Sequence, residues 1–201
     1  MVLYFCCFAG LVAPFVAAQK RQYIFTRYNI FVLWWCKCLF AVEYKVEGIE
    51  YIHAQPCIIL CNHQSSLETF ILQTLFSPLS TVLKKELLMV PFFGWSARML
   101  KAIPVDRGAP VKAYKQLMRQ GRESVLDNRS VLIFPEGTRV PIGERVKFNR
   151  GGASLAHQLQ VPIIPVAHNS GLSWPPKHLA LSPSMITIRV GPPIESRDKS
   201  K

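Results

Sequence analysis

The stretch Cys57-Ile58-Ile59-Leu60-Cys61-Asn62-His63-Gln64-Ser65-Ser66-Leu67-Glu68 decides the fold. Its first five residues form an apolar run, which predicts a short strand buried within a sheet. A polar loop follows, and the spacing of apolar residues from Leu67 onward predicts a helix. Strand, loop and helix in this succession are the repeating unit of an α/β domain.

The same alternation continues along the chain. Apolar runs predict strands at 57–61, 102–105, 131–134, 163–167 and 186–190, and amphipathic patterns predict helices at 67–76, 92–99, 111–126 and 152–160. In the third helix, residues at three- and four-residue steps predict a core face made of Val111, Tyr114, Met118, Gly121 and Val125. We therefore expect an α/β domain over residues 43–201, with a mostly parallel central sheet flanked by helices.

The composition favours an anionic partner. The 201 residues include 24 basic and 12 acidic side chains, a formal charge of +12, and half of the residues are hydrophobic. A nucleic-acid-binding module usually carries such charge on a polar domain, whereas here it lies beside strongly apolar segments. We therefore expect a lipid bilayer and no nucleic acid as partner. A basic stripe on the third helix fits a solvated face or a contact with anionic lipid: Lys112, Lys115, Arg119 and Arg122.

Residues 1–42 read as an N-terminal membrane anchor. Residues 1–19 carry no charge, and as a helix they would reach about 28 Å, close to the thickness of a bilayer core. A basic cluster follows, made of Lys20, Arg21 and Arg27. A second apolar run, 28–42, carries two tryptophans suited to a membrane interface. The pattern predicts a hairpin, or a span plus an interfacial helix, with the basic loop on the cytoplasmic side. A cleaved signal peptide is the alternative for the first run.

The cysteines do not form a disulfide framework. Cys57 and Cys61 fall on one predicted strand, where four residues span about 13 Å, too far for a bridge. Free thiols in a reducing compartment are the simpler interpretation. A zinc site built from these two residues and His63 lacks a fourth ligand at a standard spacing.

The loop after the first predicted strand carries a candidate base and its orienting carboxylate. His63 and Glu68 can form such a pair if His63 lies in the loop and Glu68 in the first helical turn. The competing interpretation is a capping box, in which Ser65 begins the helix and Glu68 reaches back to it. His63 would then be an ordinary hydrogen-bonded turn residue.

A second polar loop follows the strand at 131–134. It reads Phe134-Pro135-Glu136-Gly137-Thr138-Arg139. Gly137 lets the backbone approach a ligand closely, and the planar guanidinium of Arg139 suits phosphate. Glu136 can bond a hydroxyl of a ligand or hold Arg139. A surface turn with an exposed ion pair is the alternative.

These blocks, in this order, resemble the glycerolipid acyltransferase family over roughly residues 57–167, and in particular its bacterial 1-acyl-glycerol-3-phosphate acyltransferases. The resemblance rests on the two loops above, on Val105-Asp106-Arg107-Gly108 and on Val161-Pro162-Ile163-Ile164-Pro165-Val166. The stretch Lys84-Lys85-Glu86-Leu87 is similar to the family's sequence as well. One departure stands out: Glu68 replaces the family's usual aspartate and is one methylene longer.

The resemblance implies a membrane-bound enzyme of phospholipid biosynthesis. It would transfer a fatty acyl group from acyl carrier protein or coenzyme A to the sn-2 hydroxyl of 1-acyl-glycerol-3-phosphate. His63 would be the general base and Glu68 its partner, with no metal or cofactor. Substrate would be bound by Lys84, Arg107, Glu136, Gly137, Thr138 and Arg139. The expected location is a bacterial inner membrane, with the site on the cytoplasmic face. The alternatives are another lyso-lipid acceptor, or a catalytically silent membrane-binding relative.

Overall fold

A computed structural model of the chain describes residues 18–52 and 56–196. The helices are α1 (Ala18–Phe40), α2 (Leu67–Leu75), α3 (Phe93–Met99), α4 (Pro110–Leu126) and α5 (Gly151–Leu159). The strands are β1 (Val42–Glu47), β2 (Ile58–Cys61), β3 (Leu79–Lys84), β4 (Ile103–Val105), β5 (Ser130–Ile133), β6 (Ile163–His168) and β7 (Ser184–Val190). Short 3-10 helices lie at Ile49–Tyr51, Lys85–Met89 and Ser170–Leu172.

The strands form one seven-stranded sheet in the order β1-β7-β6-β2-β5-β3-β4. Every neighbouring pair is parallel except β6 and β7, which are antiparallel. The prediction of a mostly parallel sheet is therefore confirmed. The five predicted strands and four predicted helices are present with small shifts at their ends, and β1 and β3 are additional strands.

Strand β2 lies at the centre of three layers. Ile59 packs into the apolar cluster shared with α1 and α2, whereas Ile58 packs into the cluster shared with α4 and α5. Both side chains are fully buried. Because successive side chains of a strand point to opposite faces, a strand covered on both faces needs an unbroken apolar run. This requirement explains the stretch 57–61.

Helix α4 faces the core with the later part of the predicted face, where Gly121 is buried and Met118 and Val125 pack against the core cluster, but not with its start. Val111 and Tyr114 were expected in the core but are 70% and 48% exposed. The buried residues of α4 are Leu117, Gly121 and Ser124. The packing surface is set by the neighbouring helix: a Cβ on Gly121 would lie 2.5 Å from Leu155 Cδ2 of α5. The close approach of two helices at a glycine therefore outweighs the apolar pattern at the start of α4.

Helix α1 replaces the loop that was predicted around the basic cluster. Residues 18–40 contain no glycine or proline, so nothing interrupts the helix at Lys20, Arg21 or Arg27. Its inner side is anchored in the core by Phe25, Val32, Leu33 and Cys36, which are all buried. The prediction of a basic loop between two apolar segments was therefore wrong for this part of the chain.

The membrane-span prediction falls mainly on residues outside the described ranges. Residues 1–17, which carry most of the first apolar run and of the alternative signal peptide, are not among those that the structure describes. Of the helices that it does describe, none is both long and apolar enough to cross a bilayer. The outer side of α1 nevertheless exposes aromatic rings: Trp34 is 58% exposed and stacks on Phe31 with ring centroids 5.9 Å apart.

Candidate active site

The carboxyl ends of the central strands meet at one edge of the sheet. Cys61, the last residue of β2, pairs with Val166 of β6, and Leu60 pairs with Ile133 at the end of β5. The loops that follow β2, β5 and β6 therefore lie side by side. In open α/β sheets this edge is where ligands bind. The two polar loops singled out from the sequence are thus neighbours.

His63 and Glu68 are in direct contact at this edge. His63 lies in the loop after β2 and Glu68 in the first turn of α2, as their five-residue spacing requires. His63 Nδ1 is 2.7 Å from Glu68 Oε1, and the two side chains are 16% and 0% exposed. Because an ionised carboxylate only accepts hydrogen bonds, the assigned tautomer carries its proton on Nδ1. Nε2 is then the nitrogen that can accept a proton from a ligand.

Glu68 also makes part of the predicted capping box, although the helix N-cap is Ser66, one residue later than predicted, and the Ser66 side chain makes no capping bond. Its Oε1 accepts the backbone N–H groups of Gln64 at 3.1 Å and Ser65 at 3.0 Å. Ser65 Oγ in turn accepts the N–H of Leu67 at 3.2 Å. The two interpretations of this loop are therefore compatible, because one carboxylate oxygen serves both the histidine and the start of the helix.

The second oxygen of Glu68 is occupied as well. Ser170, just after β6, donates its hydroxyl to Oε2 at 2.7 Å. Burial raises the pKa of the Glu68 carboxyl, but the His63 bond, the charges of His168 and His63 and the Ser65 N–H together bring that pKa below its ordinary value. A buried carboxylate with this many donors stays ionised at neutral pH.

The loop after β5 holds His63 from the other side. The N–H of His63 donates to Glu136 Oε2 at 2.7 Å, and its carbonyl accepts the N–H of Val140 at 2.8 Å. The Phe134 ring stacks on the imidazole, with centroids 4.1 Å apart and planes at 19°. Burial raises the pKa of the Glu136 carboxyl, which the His63 N–H partly opposes. One carboxylate oxygen of Glu136 therefore fixes the backbone of His63. The sequence did not predict this contact.

The same loop ends in an exposed rim. Gly137 has a φ of +71°, in the left-handed region that glycine adopts without steric cost. Its N–H donates to the Phe134 carbonyl at 3.0 Å and closes the turn. The side chains of Thr138 and Arg139 are exposed. Within residues 18–52 and 56–196, Arg139 forms no ion pair, which leaves its guanidinium open to an anion.

Two further predicted cations lie at the ends of β3 and β4. Lys84 pairs with Val105 in the sheet register, and β3 runs parallel to β5, so both strand ends lie at the edge that carries His63. The Lys84 ammonium is 3.6 Å from Glu86 Oε1, and both side chains are 46% exposed. An exposed pair at this distance is weak, so Lys84 can turn to another anion. Arg107 is exposed.

The loop that carries Arg107 is shaped by its neighbours. Asp106 bonds the Lys85 ammonium with one oxygen and accepts the N–H of Gly108 at 2.9 Å with the other. Both contacts lower the pKa of Asp106, the Lys85 bond more than the Gly108 bond, and the Lys85 bond raises the pKa of that ammonium. Lys85 therefore joins the ends of β3 and β4, while Lys84 is only weakly paired with Glu86 and Arg107 has no ion pair among the described residues.

The zinc arrangement considered from the sequence is not formed. Cys36, Cys38, Cys57 and Cys61 are free thiols. Burial raises the pKa of the Cys57 thiol to about 11, despite a hydrogen bond from Ser130, so it remains protonated. In the described part of the chain, no three His, Cys, Asp or Glu side chains are grouped so as to hold a metal ion.

Three residues of the site were not predicted for it: Asn62, His168 and Ser170. The Asn62 side chain accepts the His168 N–H at 2.9 Å and donates to its carbonyl at 3.0 Å, which ties the ends of β2 and β6 together. Their position just after or at the end of a strand was a usable signal. No local signal indicates which strand each of these residues will face, because β2 and β6 are neighbours in space but distant in sequence.

The comparisons with known proteins agree with this geometry. The family model described as Acyltransferase matches residues 43–169. The chain is 44% identical to a 1-acyl-sn-glycerol-3-phosphate acyltransferase of Pseudomonas aeruginosa, covering 90% of this chain and 71% of that protein. It is 32% identical to the protein of the same name from Saccharomyces cerevisiae, covering 98% and 67% of the two chains. The crystal structure of a 1-acyl-sn-glycerophosphate (LPA) acyltransferase from Thermotoga maritima shares the fold, with a TM-score of 0.79 at 20% identity, covering 98% of this chain and 82% of that one.

Proposed function

This chain belongs to the 1-acyl-sn-glycerol-3-phosphate acyltransferase family and is an acyltransferase, and from that premise we propose its reaction. It transfers a fatty acyl group from an acyl thioester to the sn-2 hydroxyl of 1-acyl-glycerol-3-phosphate and gives phosphatidic acid. The thioester belongs to acyl carrier protein or coenzyme A. The names of the relatives support the acceptor, and the order of the loops around His63 supports the chemistry.

The observation that carries the proposal is the contact between His63 Nδ1 and Glu68 Oε1 at 2.7 Å. The ionised carboxylate keeps the proton on Nδ1 and stabilises the imidazolium when Nε2 takes a second proton. Glu136 accepts the backbone N–H of the same residue, and the Phe134 ring stacks on its imidazole. A histidine fixed in this way is suited to general-base catalysis, which contributes roughly 10²- to 10⁴-fold to a rate.

The reaction then needs no covalent intermediate on the protein. His63 Nε2 takes the proton of the sn-2 hydroxyl as the oxygen attacks the thioester carbonyl carbon. The tetrahedral intermediate collapses, the C–S bond breaks, and the imidazolium returns its proton to the thiolate. The products are an ester and a free thiol, and the histidine is restored.

The acceptor's phosphate would be bound by the exposed cations of the same edge. Arg139 and Arg107 offer planar guanidinium groups that suit a phosphate monoester, and Lys84 adds a mobile ammonium. All three side chains are exposed at the edge that carries His63. Gly137 and Thr138 would line the approach between the phosphate and the hydroxyl that reacts.

We expect the enzyme to work at the cytoplasmic face of a bacterial inner membrane, with residues 1–42 as its anchor and 43–201 as its catalytic domain. The acceptor and product are lipids, so a site held at the bilayer can take the acceptor from one leaflet. The outer side of α1 supports this arrangement, because Phe31 and Trp34 are exposed beside the basic residues Arg27 and Lys37. Aromatic and basic side chains together are typical of interfacial helices.

The test is acyl transfer by the purified full chain in detergent. Labelled acyl-coenzyme A and acyl carrier protein thioester are each offered with lysophosphatidic acid, lysophosphatidylcholine, lysophosphatidylethanolamine and glycerol 3-phosphate. We expect labelled phosphatidic acid from lysophosphatidic acid in preference to the other acceptors. Transfer to another acceptor alone would refute the proposed substrate and keep the chemistry. No transfer from folded protein with either donor would refute the proposed reaction.

A further inference from the structure

The contact between Ser170 and Glu68 has no role in the chemistry described above. Both residues are fully buried, and they are 102 positions apart in the chain. Ser170 Oγ lies 2.7 Å from Glu68 Oε2. Because the ionised carboxylate cannot donate, the serine hydroxyl is the donor. A hydrogen bond to a buried charge is among the stronger interactions in a protein.

The position of Ser170 is itself set by His168. The N–H of Ser170 donates to His168 Nδ1 at 3.2 Å, so Nδ1 is unprotonated. His168 Nε2 must then carry the proton, and it lies 2.7 Å from the carbonyl of Asn62. Burial lowers the pKa of His168, more than the nearby Glu68 charge raises it, so the ring is neutral at neutral pH. The neutral state of His168 matters for Glu68, because His168 Nε2 is only 4.0 Å from Glu68 Oε1 and a charged ring there would compete with His63 for that oxygen.

The length of the Glu68 side chain is what allows both of its oxygens to be used. Oε1 faces His63, Gln64 and Ser65, while Oε2 reaches across to Ser170. An aspartate at this position would be shorter by one carbon–carbon bond, about 1.5 Å. From the same backbone it would not bridge the loop after β2 and the turn after β6. The replacement of the family's usual aspartate by Glu68 is therefore accompanied in this structure by a contact that needs the longer side chain, the hydrogen bond from Ser170.

We propose that Ser170 is a positioning residue of the His63–Glu68 pair: its hydroxyl fixes Glu68 Oε2 so that Oε1 faces Nδ1 of His63. The inference rests on the proposed general-base role of His63. Ser170 does not touch the reacting atoms. Without its hydroxyl, one oxygen of a buried carboxylate loses its donor, and the carboxylate rotates away from the imidazole to find another.

The first test compares Ser170→Ala with a matched control. Ser173 is another fully buried serine in the same turn, and its hydroxyl bonds Ser184 and not Glu68. Ser173→Ala removes that hydroxyl. We expect Ser170→Ala to lower kcat about tenfold, the loss that corresponds to one hydrogen bond to a charged group. KM for the acceptor should change less than about twofold, and Ser173→Ala should match the wild type. If Ser170→Ala does not fold, Ser170→Cys supplies a side chain with a much weaker donor.

A second test separates positioning from general support of the fold. In the Glu68→Asp background the contact cannot form, so adding Ser170→Ala should lower kcat by less than about twofold further. Equal losses in both backgrounds would overturn the proposal, because Ser170 would then act independently of Glu68.

The pH dependence of kcat/KM adds a measurement that would not change if Ser170 only supported the fold. The titratable groups around His63 are Glu68 on α2, Glu136 after β5, His168 at the end of β6 and the buried Cys61 of β2. With the carboxylate turned away from Nδ1, Glu68 stabilises the imidazolium less. The acidic limb of kcat/KM should therefore shift to lower pH in Ser170→Ala.

The outcomes remain separable from those of the proposed function. If the wild type transfers acyl groups and His63→Ala does not, the proposed function stands. Under that condition, a Ser170→Ala variant with wild-type kcat and pH profile overturns the positioning role alone. If the wild type itself transfers nothing, the proposed function fails first.

Discussion

The position of His63 is fixed by its contacts with neighbouring residues. Its N–H, its carbonyl and Nδ1 each have a partner, and one ring face is covered by Phe134. The backbone bonds to Glu136 and Val140 fix the main chain of His63, and turning the ring would break the bond to Glu68 and the stacking on Phe134. Fixing a catalytic group before substrate binds lowers the reorganisation that the reaction must carry out.

Arg139 offers the most direct test of acceptor recognition. We expect Arg139→Ala to raise KM for lysophosphatidic acid at least about tenfold, because a charge-assisted hydrogen bond to phosphate is lost. Its effect on kcat should be small, since the phosphate that the guanidinium is proposed to bind does not change in the reaction. Steady-state kinetics in mixed micelles measure both constants. The control is Arg122→Ala, which removes an exposed cation from α4. An unchanged KM would show that Arg139 does not bind the acceptor.

Among the elements, the five strands that are continuous apolar runs were predictable, including the edge strand β4, whereas β1 and β3 were not. β2 is an unbroken apolar run because both faces are buried. β1 alternates regularly over Val42–Glu47, but its first residue was assigned to the preceding apolar segment. β3 contains the buried Ser80, whose hydroxyl bonds Ser124 and Arg129. A polar strand residue satisfied by partners more than 40 positions away leaves no local signal.

The same distinction applies to the site. The contact between His63 and Glu68 spans five residues, so spacing alone could predict it. The contact between Glu68 and Ser170 spans 102 residues and depends on β6 lying beside β2. Such contacts follow from strand order, which the sequence pattern does not specify.

Packing between α4 and α5 yields a prediction in which two effects oppose each other. Gly121→Ala would gain about 1 kcal/mol of helix propensity. The new methyl group would lie 2.5 Å from Leu155 Cδ2, and Leu155 is fully buried, so it has little room to move. Overpacking of this kind costs roughly 1–3 kcal/mol. We therefore expect a lower free energy of unfolding, measured by urea denaturation.

The control for this prediction is the Leu155→Ala background, where the obstructing methyl groups are absent. There Gly121→Ala should be neutral or stabilising. A stabilising effect of Gly121→Ala in the otherwise unchanged protein would contradict the close packing of the two helices.

Considered as a whole, the molecule combines a basic surface with an ionised carboxylate at its centre. The formal charge is +12, and the exposed cations at the edge that carries His63 add to that field. A basic field attracts anionic lipid and acidic carrier proteins alike. Association with either should therefore weaken as the salt concentration rises.

The buried network should make the protein sensitive to acid. The pKa of His168 lies below its ordinary 6.5 and that of Glu68 below its ordinary 4.5, so the unfolded chain binds more protons as the pH falls. The free energy of unfolding should be highest near neutral pH. It should decline first as the pH falls below about 6.5 and then further below about 4.5. Glu136, whose pKa is raised, acts in the opposite sense but lies nearer the surface.

Urea denaturation between about pH 7 and 5 measures the first part of this decline. His168→Gln removes the titrating ring and should flatten the dependence in that window, whatever it costs in absolute stability. The exposed His178 supplies the matched change, and His178→Gln should leave the slope unchanged. An equal slope in the wild type and His168→Gln would contradict the buried neutral histidine.

The role of His63 is tested most directly by single-turnover acyl transfer in the wild type, His63→Ala and His178→Ala. Labelled acyl thioester and saturating lysophosphatidic acid are mixed with excess enzyme in detergent, and phosphatidic acid is followed over time. If His63 is the general base, its removal should slow transfer by about 10³-fold or more, with folding and lipid binding retained, while His178→Ala reacts like the wild type. Transfer by folded His63→Ala within about tenfold of the wild-type rate would contradict the account.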